Sequence, residues 1–561
     1  MLKGLGRAVL RSLAAAKARR RLREGDRLAT GGRAGEALEQ YRQAVACAPW
    51  MGAARNDLGV ALMALGQGAA AEQEFLAASR CVSPPAQAHL NLAQRYLYTE
   101  RQGAGREQLQ LAAQLAAGNP RLALLQGYCA LAFGDAEAGV RHYREAWRNA
   151  PADADAASGY LLSLSYAESA TPAALCEAHR QWAAALPAPE ADAGLGREAR
   201  QPPWRIGYLS PDFRDHAVRF FFEPLLEHHD RRRFQVCCYS DARQPDAHTQ
   251  RMRQRADRWC EAAGLADAEL ARTIRRDGID VLVDLAGHTS GNRLAMLRSR
   301  LAPVQITALG YPPTTGLATI DWKLSDPVAD PAGAEAYYAE QLLRLPQTFW
   351  CFAPPADAPQ VAASPAGANG FVTYGCMGNL AKVGDAALQA WAAILGADSS
   401  ARLLLKCPTL GDEAVRAFTR ERMGRAGIDP ARVRFEGRSD LAGFLQAYAG
   451  IDIVLDTFPY NGGTTTCHAL WMGTPVVTLA GEILLSRMGV SMLASVDLGD
   501  LAARTWPQYA EVAIALGRDR ERLAVLRRTL RERMCRSPLT DGPRFVAALE
   551  AALADRLASS R

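Results

Sequence analysis

At 561 residues the chain is too long for one hydrophobic core and should divide into two to four domains. With 49% hydrophobic and 22% charged residues it reads as soluble and globular, and a net charge of +6 is too small to argue for a nucleic-acid partner. No apolar run approaches a membrane span, the start lacks a signal-peptide core, and the twelve cysteines are scattered without a CxxC pair; we expect a cytoplasmic protein with reduced thiols, no metal site and no stable membrane insertion.

The basic cluster Lys17, Arg19, Arg20, Arg21 and Arg23 is expected to be the solvated face of a first helix. A period of 34 then governs the first 155 residues. Gly25, Gly59, Ala93 and Gly127 share one column, Tyr41, Phe75, Leu109 and Tyr143 a second, and Ala44, Ala78, Ala112 and Ala146 a third. Small residues where two helices cross, with a large apolar residue sixteen positions later, are what a stacked helix pair requires. Pro49 and Pro151 stand where helices must stop. The spacing predicts an α-helical solenoid of four tetratricopeptide repeats (TPR), with a fifth, degenerate pair at 155–186 making a domain of residues 1–186. Such arrays present a concave groove for protein or peptide partners. Asp153 and Asp155 form a DxD match, but they follow Pro151 and are expected to cap a helix.

Residues 187–203, rich in proline, glycine and alanine, read as a linker. Short apolar strands at 204–210, 234–240, 279–287 and 304–310 then alternate with helices near 217–228, 249–258 and 266–276. After a loose stretch at 352–369, strands are expected at 371–376, 402–407, 433–437, 451–456 and 475–479. Alternation of this kind predicts parallel sheets, hence two doubly wound Rossmann-like α/β lobes, 204–360 and 361–561, facing each other across a cleft. Helices between 507 and 558 should brace them.

The stretch 451–473, IDIVLDTFPYNGGTTTCHALWMG, reads as a buried strand, a glycine turn and a helix opened by threonines. Free N–H groups at such a helix start, together with the positive end of its dipole, suit a phosphate. Gly462, Gly463, Thr464, Thr465 and Thr466 are the candidates; an ordinary N-cap is the bland reading. Lys382, just past strand 371–376, could bring an ammonium to the same phosphates or be a surface lysine. His216 follows the first strand at a helix start and is either structural or catalytic. Asp284 and His288 end strand 279–287 and either face the cleft or cap the next helix. Phe444 flanks a nucleobase or packs a helix.

At these residues the chain resembles the family of intracellular protein O-glycosyltransferases that includes the O-GlcNAc transferases and the plant SPINDLY proteins, with a GT-B catalytic region. The resemblance rests on GYLSPDFRDH, LVDLAGHT, APVQITALGYPPTTGL, GNLAK, LDTFPYNGGTTTCHALWMGTPVVTLAG and SPLTDGPRF. It implies an inverting, metal-independent glycosyltransferase that moves a sugar from a nucleotide sugar to Ser or Thr of protein acceptors held with help from the TPR groove. It further implies that Lys382 neutralises the leaving diphosphate, that Thr464 and Thr465 bind it with Asn379 assisting, and that His216 lies beside sugar and acceptor. Where O-GlcNAc transferases carry a histidine before the threonine pair and an acidic residue after it, Gly463 and His468 stand here. The donor expected first is UDP-GlcNAc; the alternatives are a SPINDLY-like O-fucosyltransferase using GDP-fucose, a catalytically inactive TPR scaffold, and a GT-B enzyme acting on a small molecule or glycan.

Overall fold

A computed structural model describes residues 2–188 and 201–559, so most of the expected linker 187–203 lies outside the described residues. The N-terminal part is five antiparallel helix pairs: Leu2–Thr30 with Ala34–Cys47, Gly52–Ala64 with Gly68–Ser79, Ala86–Tyr98 with Gln102–Leu115, Pro120–Phe133 with Ala136–Asn149, and Ala154–Tyr166 with Pro172–Ala185. The 34-residue columns are the crossing points. A Cβ placed on Gly25, Gly59 or Gly127 would come within 2.6, 2.4 and 2.6 Å of the rings of Tyr41, Phe75 and Tyr143 respectively, so these helices cross too closely for any side chain. Ala44, Ala78, Ala112 and Ala146 are all buried behind those rings. The fifth pair is present although its sequence breaks the period. Asp153 caps its first helix, accepting the N–H groups of Asp155 and Ala156 at 2.9 and 3.0 Å.

Two wholly parallel sheets follow. The first contains β1 (Trp204–Ser210), β2 (Phe234–Ser240), β3 (Arg258–Glu261), β4 (Val281–Asp284), β5 (Val304–Thr307), β6 (Trp322–Ser325) and β7 (Gln341–Arg344), in the order β3-β2-β1-β4-β5-β6-β7. The second contains β8 (Thr373–Met377), β9 (Arg402–Lys406), β10 (Val433–Glu436), β11 (Ile453–Leu455), β12 (Val476–Leu479) and β13 (Ala502–Ala503), in the order β10-β9-β8-β11-β12-β13. β1 and β2 have the expected bounds. The short strands β3, β6, β7 and β13 were not expected, and β3 takes the end of the helix predicted at 249–258, which stops at Arg255.

Each sheet reverses its strand order once, between β1 and β4 in the first and between β8 and β11 in the second. Connections leave such a switch point in opposite directions and open a crevice at the carboxyl ends of the strands. The C-terminal helices brace both lobes. Helix Arg520–Arg536 lies on the second lobe. Helix Gly542–Ser559 packs on helix Arg219–His228 of the first, where buried Glu550 accepts His229 Nδ1 and Asp230 N–H, each at 2.9 Å.

Candidate active site

The turn after β11 is organised by a residue with no conspicuous motif. Asp456 is buried, and its carboxylate accepts the N–H groups of Thr457 and Gly462 at 2.9 and 2.7 Å and the Thr478 hydroxyl at 2.7 Å. Asn461 closes the same turn by donating to Thr457 O at 2.8 Å. These bonds fold residues 457–463 back on themselves and deliver the chain into helix Thr464–Trp471, whose cap, Gly463, offers no side chain. The first intrahelical bonds come from Thr466 and Cys467 to Gly463 O. Ahead of them, the N–H groups of Thr464 and Thr465 have no intrahelical partner, as at any helix start. Tyr448 supports them from behind, its hydroxyl donating to Thr465 O at 2.9 Å.

Lys382 reaches this helix start from the neighbouring strand. It ends a 3-10 turn, Leu380–Lys382, that Asn379 caps by accepting Ala381 N–H at 3.0 Å. Its Nζ donates to Asn461 O at 3.1 Å and lies 3.8 Å from the centre of the Tyr460 ring. Burial pushes the ammonium down to about 8, against the opposing pull of Asp456; the same burial pushes Asp456 up to about 6. The ammonium thus stands two residues from the open helix start, held by a carbonyl and a ring face.

The other wall is aromatic and draws on both lobes, with Phe220, Trp350 and Phe352 from the first and Phe444 and His468 from the second. His468 is buried, with Phe220, Phe352 and Phe444 rings at 4.9, 5.7 and 6.0 Å and no hydrogen-bond partner for its Nε2. Burial pushes it down to about 3, with Arg219 adding to the effect, so it is a neutral imidazole at any working pH. Arg219 is itself buried, its guanidinium 3.9 Å from the Phe220 ring and its Nε donating to Asp215 at 3.0 Å. Trp350 completes the wall, and a Cβ on Gly463 would stand 3.7 Å from its ring. His216 lies one turn before Phe220, partly exposed, with Nδ1 3.5 Å from Asp212 Oδ2. Burial lowers its proton affinity although Asp212 opposes the shift.

Three expected site residues are placed elsewhere. Asp284 is fully buried at the end of β4, its carboxylate consumed by the N–H groups of Ala286 and Gly287 and by the Thr307 hydroxyl at 3.0 Å. It shapes a turn and does not line the cleft. His288 packs against His179, Trp182 and Tyr311, at the seam with the last repeat helix, with Nε2 3.0 Å from Thr315 O. Burial holds it well below the ordinary histidine range. Both were legible as strand-end polar residues, but which way the chain turns after β4 is a tertiary matter. Thr466 turns inward, its hydroxyl donating to Gly462 O at 3.1 Å, so only Thr464 and Thr465 keep free hydroxyls at the helix start. Arg219, Asp456 and Trp350 were not expected. The available signals were a charged residue ahead of three phenylalanines and an aspartate where a buried strand meets a glycine turn.

Gly462 is the tightest point of the turn. A Cβ there would lie 2.7 Å from both the Thr465 and Thr466 hydroxyls. Gly462→Ala is therefore expected to displace the helix start, with a stability loss of about 1–3 kcal/mol from overpacking, and to weaken about tenfold or more any phosphate ligand held there. Isothermal titration with UDP and with GDP beside a urea melt would show it. Unchanged affinity would mean that this helix start is not the binding element.

Fold and site together define a repeat-armed, two-lobed α/β protein that presents a cation and an open helix start at one switch point. Residues 192–353 and 365–549 match Glycosyl transferase family 41, and the chain belongs to that family. Over 407 residues it is 40% identical to a Solanum lycopersicum protein named probable UDP-N-acetylglucosamine–peptide N-acetylglucosaminyltransferase SPINDLY, covering 71% of this chain and 44% of that one. An Arabidopsis thaliana protein named probable UDP-N-acetylglucosamine–peptide N-acetylglucosaminyltransferase SEC is 27% identical over 358 residues, covering 62% of this chain and 36% of that one. The chain therefore spans less than half the length of the curated relatives it matches. A solved Thermobaculum terrenum O-GlcNAc transferase mutant is 30% identical with a TM-score of 0.82, covering 98% of this chain and 99% of that one.

Proposed function

We propose that the protein is an inverting protein O-glycosyltransferase that moves a sugar from a nucleoside diphosphate to Ser or Thr hydroxyls without a metal ion. The observation that carries this reading is the placement of the Lys382 ammonium 3.1 Å from Asn461 O, beside the start of helix Thr464–Trp471. Departure of a nucleoside diphosphate builds negative charge on its bridging oxygen. A fixed cation and oriented N–H donors stabilise that charge most where water is excluded. His216, partly exposed and with its proton affinity lowered by burial against the pull of Asp212, is the candidate to accept the hydroxyl proton as the bond to the sugar forms. The repeat groove would hold the acceptor protein. All twelve cysteines are free thiols, which suits a reducing, cytoplasmic location.

UDP-GlcNAc is the first donor proposed, since the names of the relatives and of the solved structure point to GlcNAc transfer. GDP-fucose is the second reading, since the buried His468 among phenylalanines departs from the acidic residue that the O-GlcNAc transferase pattern places there. Incubating the full chain with labelled UDP-GlcNAc or GDP-fucose and a Ser/Thr peptide, then reading nucleoside diphosphate release and peptide mass, tests both. Neither donor being turned over would reject the transferase reading. A melt separates the donors as well. At a hundredfold excess over its Kd the bound nucleotide should add about 2.7 kcal/mol of stability, and the wrong base almost none.

A further inference from the structure

The repeat arm reaches the loop that carries Lys382. Gly134, with φ +83°, ends helix Pro120–Phe133, and a Cβ there would lie 3.1 Å from both Cβ and O of Leu380. Arg422 of the second lobe stitches this seam, donating to Gly134 O at 2.7 Å, to Val383 O at 2.9 Å and to Asp385 at 2.9 Å. Helix Asp385–Gly396 begins three residues after Lys382 with glycine as its cap and no side-chain cap of its own. The missing cap comes from the arm. Glu168, just beyond helix Ala154–Tyr166, accepts the N–H of Asp385 at 3.1 Å and that of Ala386 at 3.1 and 3.2 Å. On the same helix end, the Tyr166 ring lies 5.2 Å from Tyr460, the ring beneath the Lys382 ammonium, and the Asn379 side chain opposes the upward push of burial on the Tyr166 hydroxyl. Arm residues thus touch the lysine's turn, the helix after it and the ring under it.

We propose that the arm is a working part of the transfer site: Glu168 and Tyr166 are positioning residues that hold the Lys382 loop against the Thr464 helix start. This rests on the reading of Lys382 as the leaving-group cation. The groups facing Lys382 are Asp456 and Cys376 of its own lobe, the Tyr460 ring, and Tyr166 from the arm behind that ring. Glu168 faces the backbone amides, with Asp385 beside it. A helix capped from another domain transmits any loosening of that domain to its first turn, here the turn next to the ammonium. Loosening admits water, and a rehydrated ammonium holds its proton to higher pH.

The test uses the full chain with lysine labelled by 13C at Cε. There are five lysines, Lys3, Lys17, Lys323, Lys382 and Lys406, so the Lys382 signal is the one lost in Lys382→Met. The expected result is a Lys382 titration near 8 that moves upward in Glu168→Ala and, by less, in Tyr166→Phe. In both variants kcat for a short Ser peptide should fall, about tenfold in Glu168→Ala, with the Kd for nucleoside diphosphate unchanged within about twofold. Glu168→Gln keeps an oxygen to accept the amides and should recover most of the rate. A Lys382 titration unchanged in both Glu168→Ala and Tyr166→Phe overturns the proposal, whatever the rates do. If the titration moves while even the unaltered chain transfers no sugar, the positioning stands and the transferase reading falls.

Discussion

Lys382→Ala is expected to cut sugar transfer to peptide about a hundredfold or more while leaving nucleotide affinity within severalfold. Its Nζ donates to one carbonyl and rests on one ring face, so its charge is held at a point and not spread over an ion pair. Removing one group that stabilises charge only in the transition state costs about a hundredfold or more in kcat, whereas ground-state binding spreads over many contacts. Lys382→Met keeps the stem and removes the charge, and should behave alike; that separates electrostatics from a cavity. Arginine should rescue poorly, because a planar fork does not fit a point held between a carbonyl and a ring. The pH dependence has a definite sign. Burial pushes this lysine down to about 8, so the working cation is present below that pH and lost above it. The rate of the unaltered chain should fall above about pH 8, and the residual rate of Lys382→Met should lack that limb. Steady-state kinetics from pH 6 to 10 would check both. Near-normal turnover in Lys382→Ala would remove the mechanism.

Arg527→Met should give the largest loss of stability, about 3–5 kcal/mol, because it leaves several buried acceptors without a donor. Arg527 is 2% exposed and comes from a C-terminal helix into the second lobe. Its Nη1 donates to Tyr448 O and Met472 O at 3.2 Å each and to Thr474 Oγ1 at 2.7 Å, and its Nη2 donates to Ile451 O. These acceptors bracket the strand, turn and helix that carry Asp456, Thr464 and Thr465. Tyr448 in turn holds Thr465 O. The loss should therefore appear first in the second lobe, as an early urea transition by tyrosine and tryptophan fluorescence, with nucleotide affinity reduced in parallel. Arg527→Lys can satisfy some of the acceptors and should recover part of the loss. A melt unchanged in Arg527→Met would show that these carbonyls find water instead.

The order of elements was readable wherever the physics is local. A helix crossing leaves its mark at one repeated position, so Gly25, Gly59 and Gly127 mark the solenoid in the amino-acid order itself. Buried parallel strands are apolar runs, and β1 and β2 were legible to the residue. Strands of two to four residues, such as β7 and β13, carry too few side chains for a pattern. The glycine turn and its threonines were equally plain, since a chain that must expose backbone N–H groups needs small residues at that point.

What the amino-acid order by itself determined is therefore the solenoid, the two α/β lobes, and Lys382 with Thr464 and Thr465 as the polar groups at the ends of adjacent strands. Tertiary structure alone decided which strand-end polar residues meet the cleft: Asp284 and His288 fold inward against their own turn and the last repeat helix, whereas Arg219, Asp456, Tyr166 and Glu168 converge on the site from separate segments. The reason is physical. Propensity and periodicity act over a few residues, but the desolvation and charge that make an ammonium useful depend on groups hundreds of positions away, and only packing brings those together.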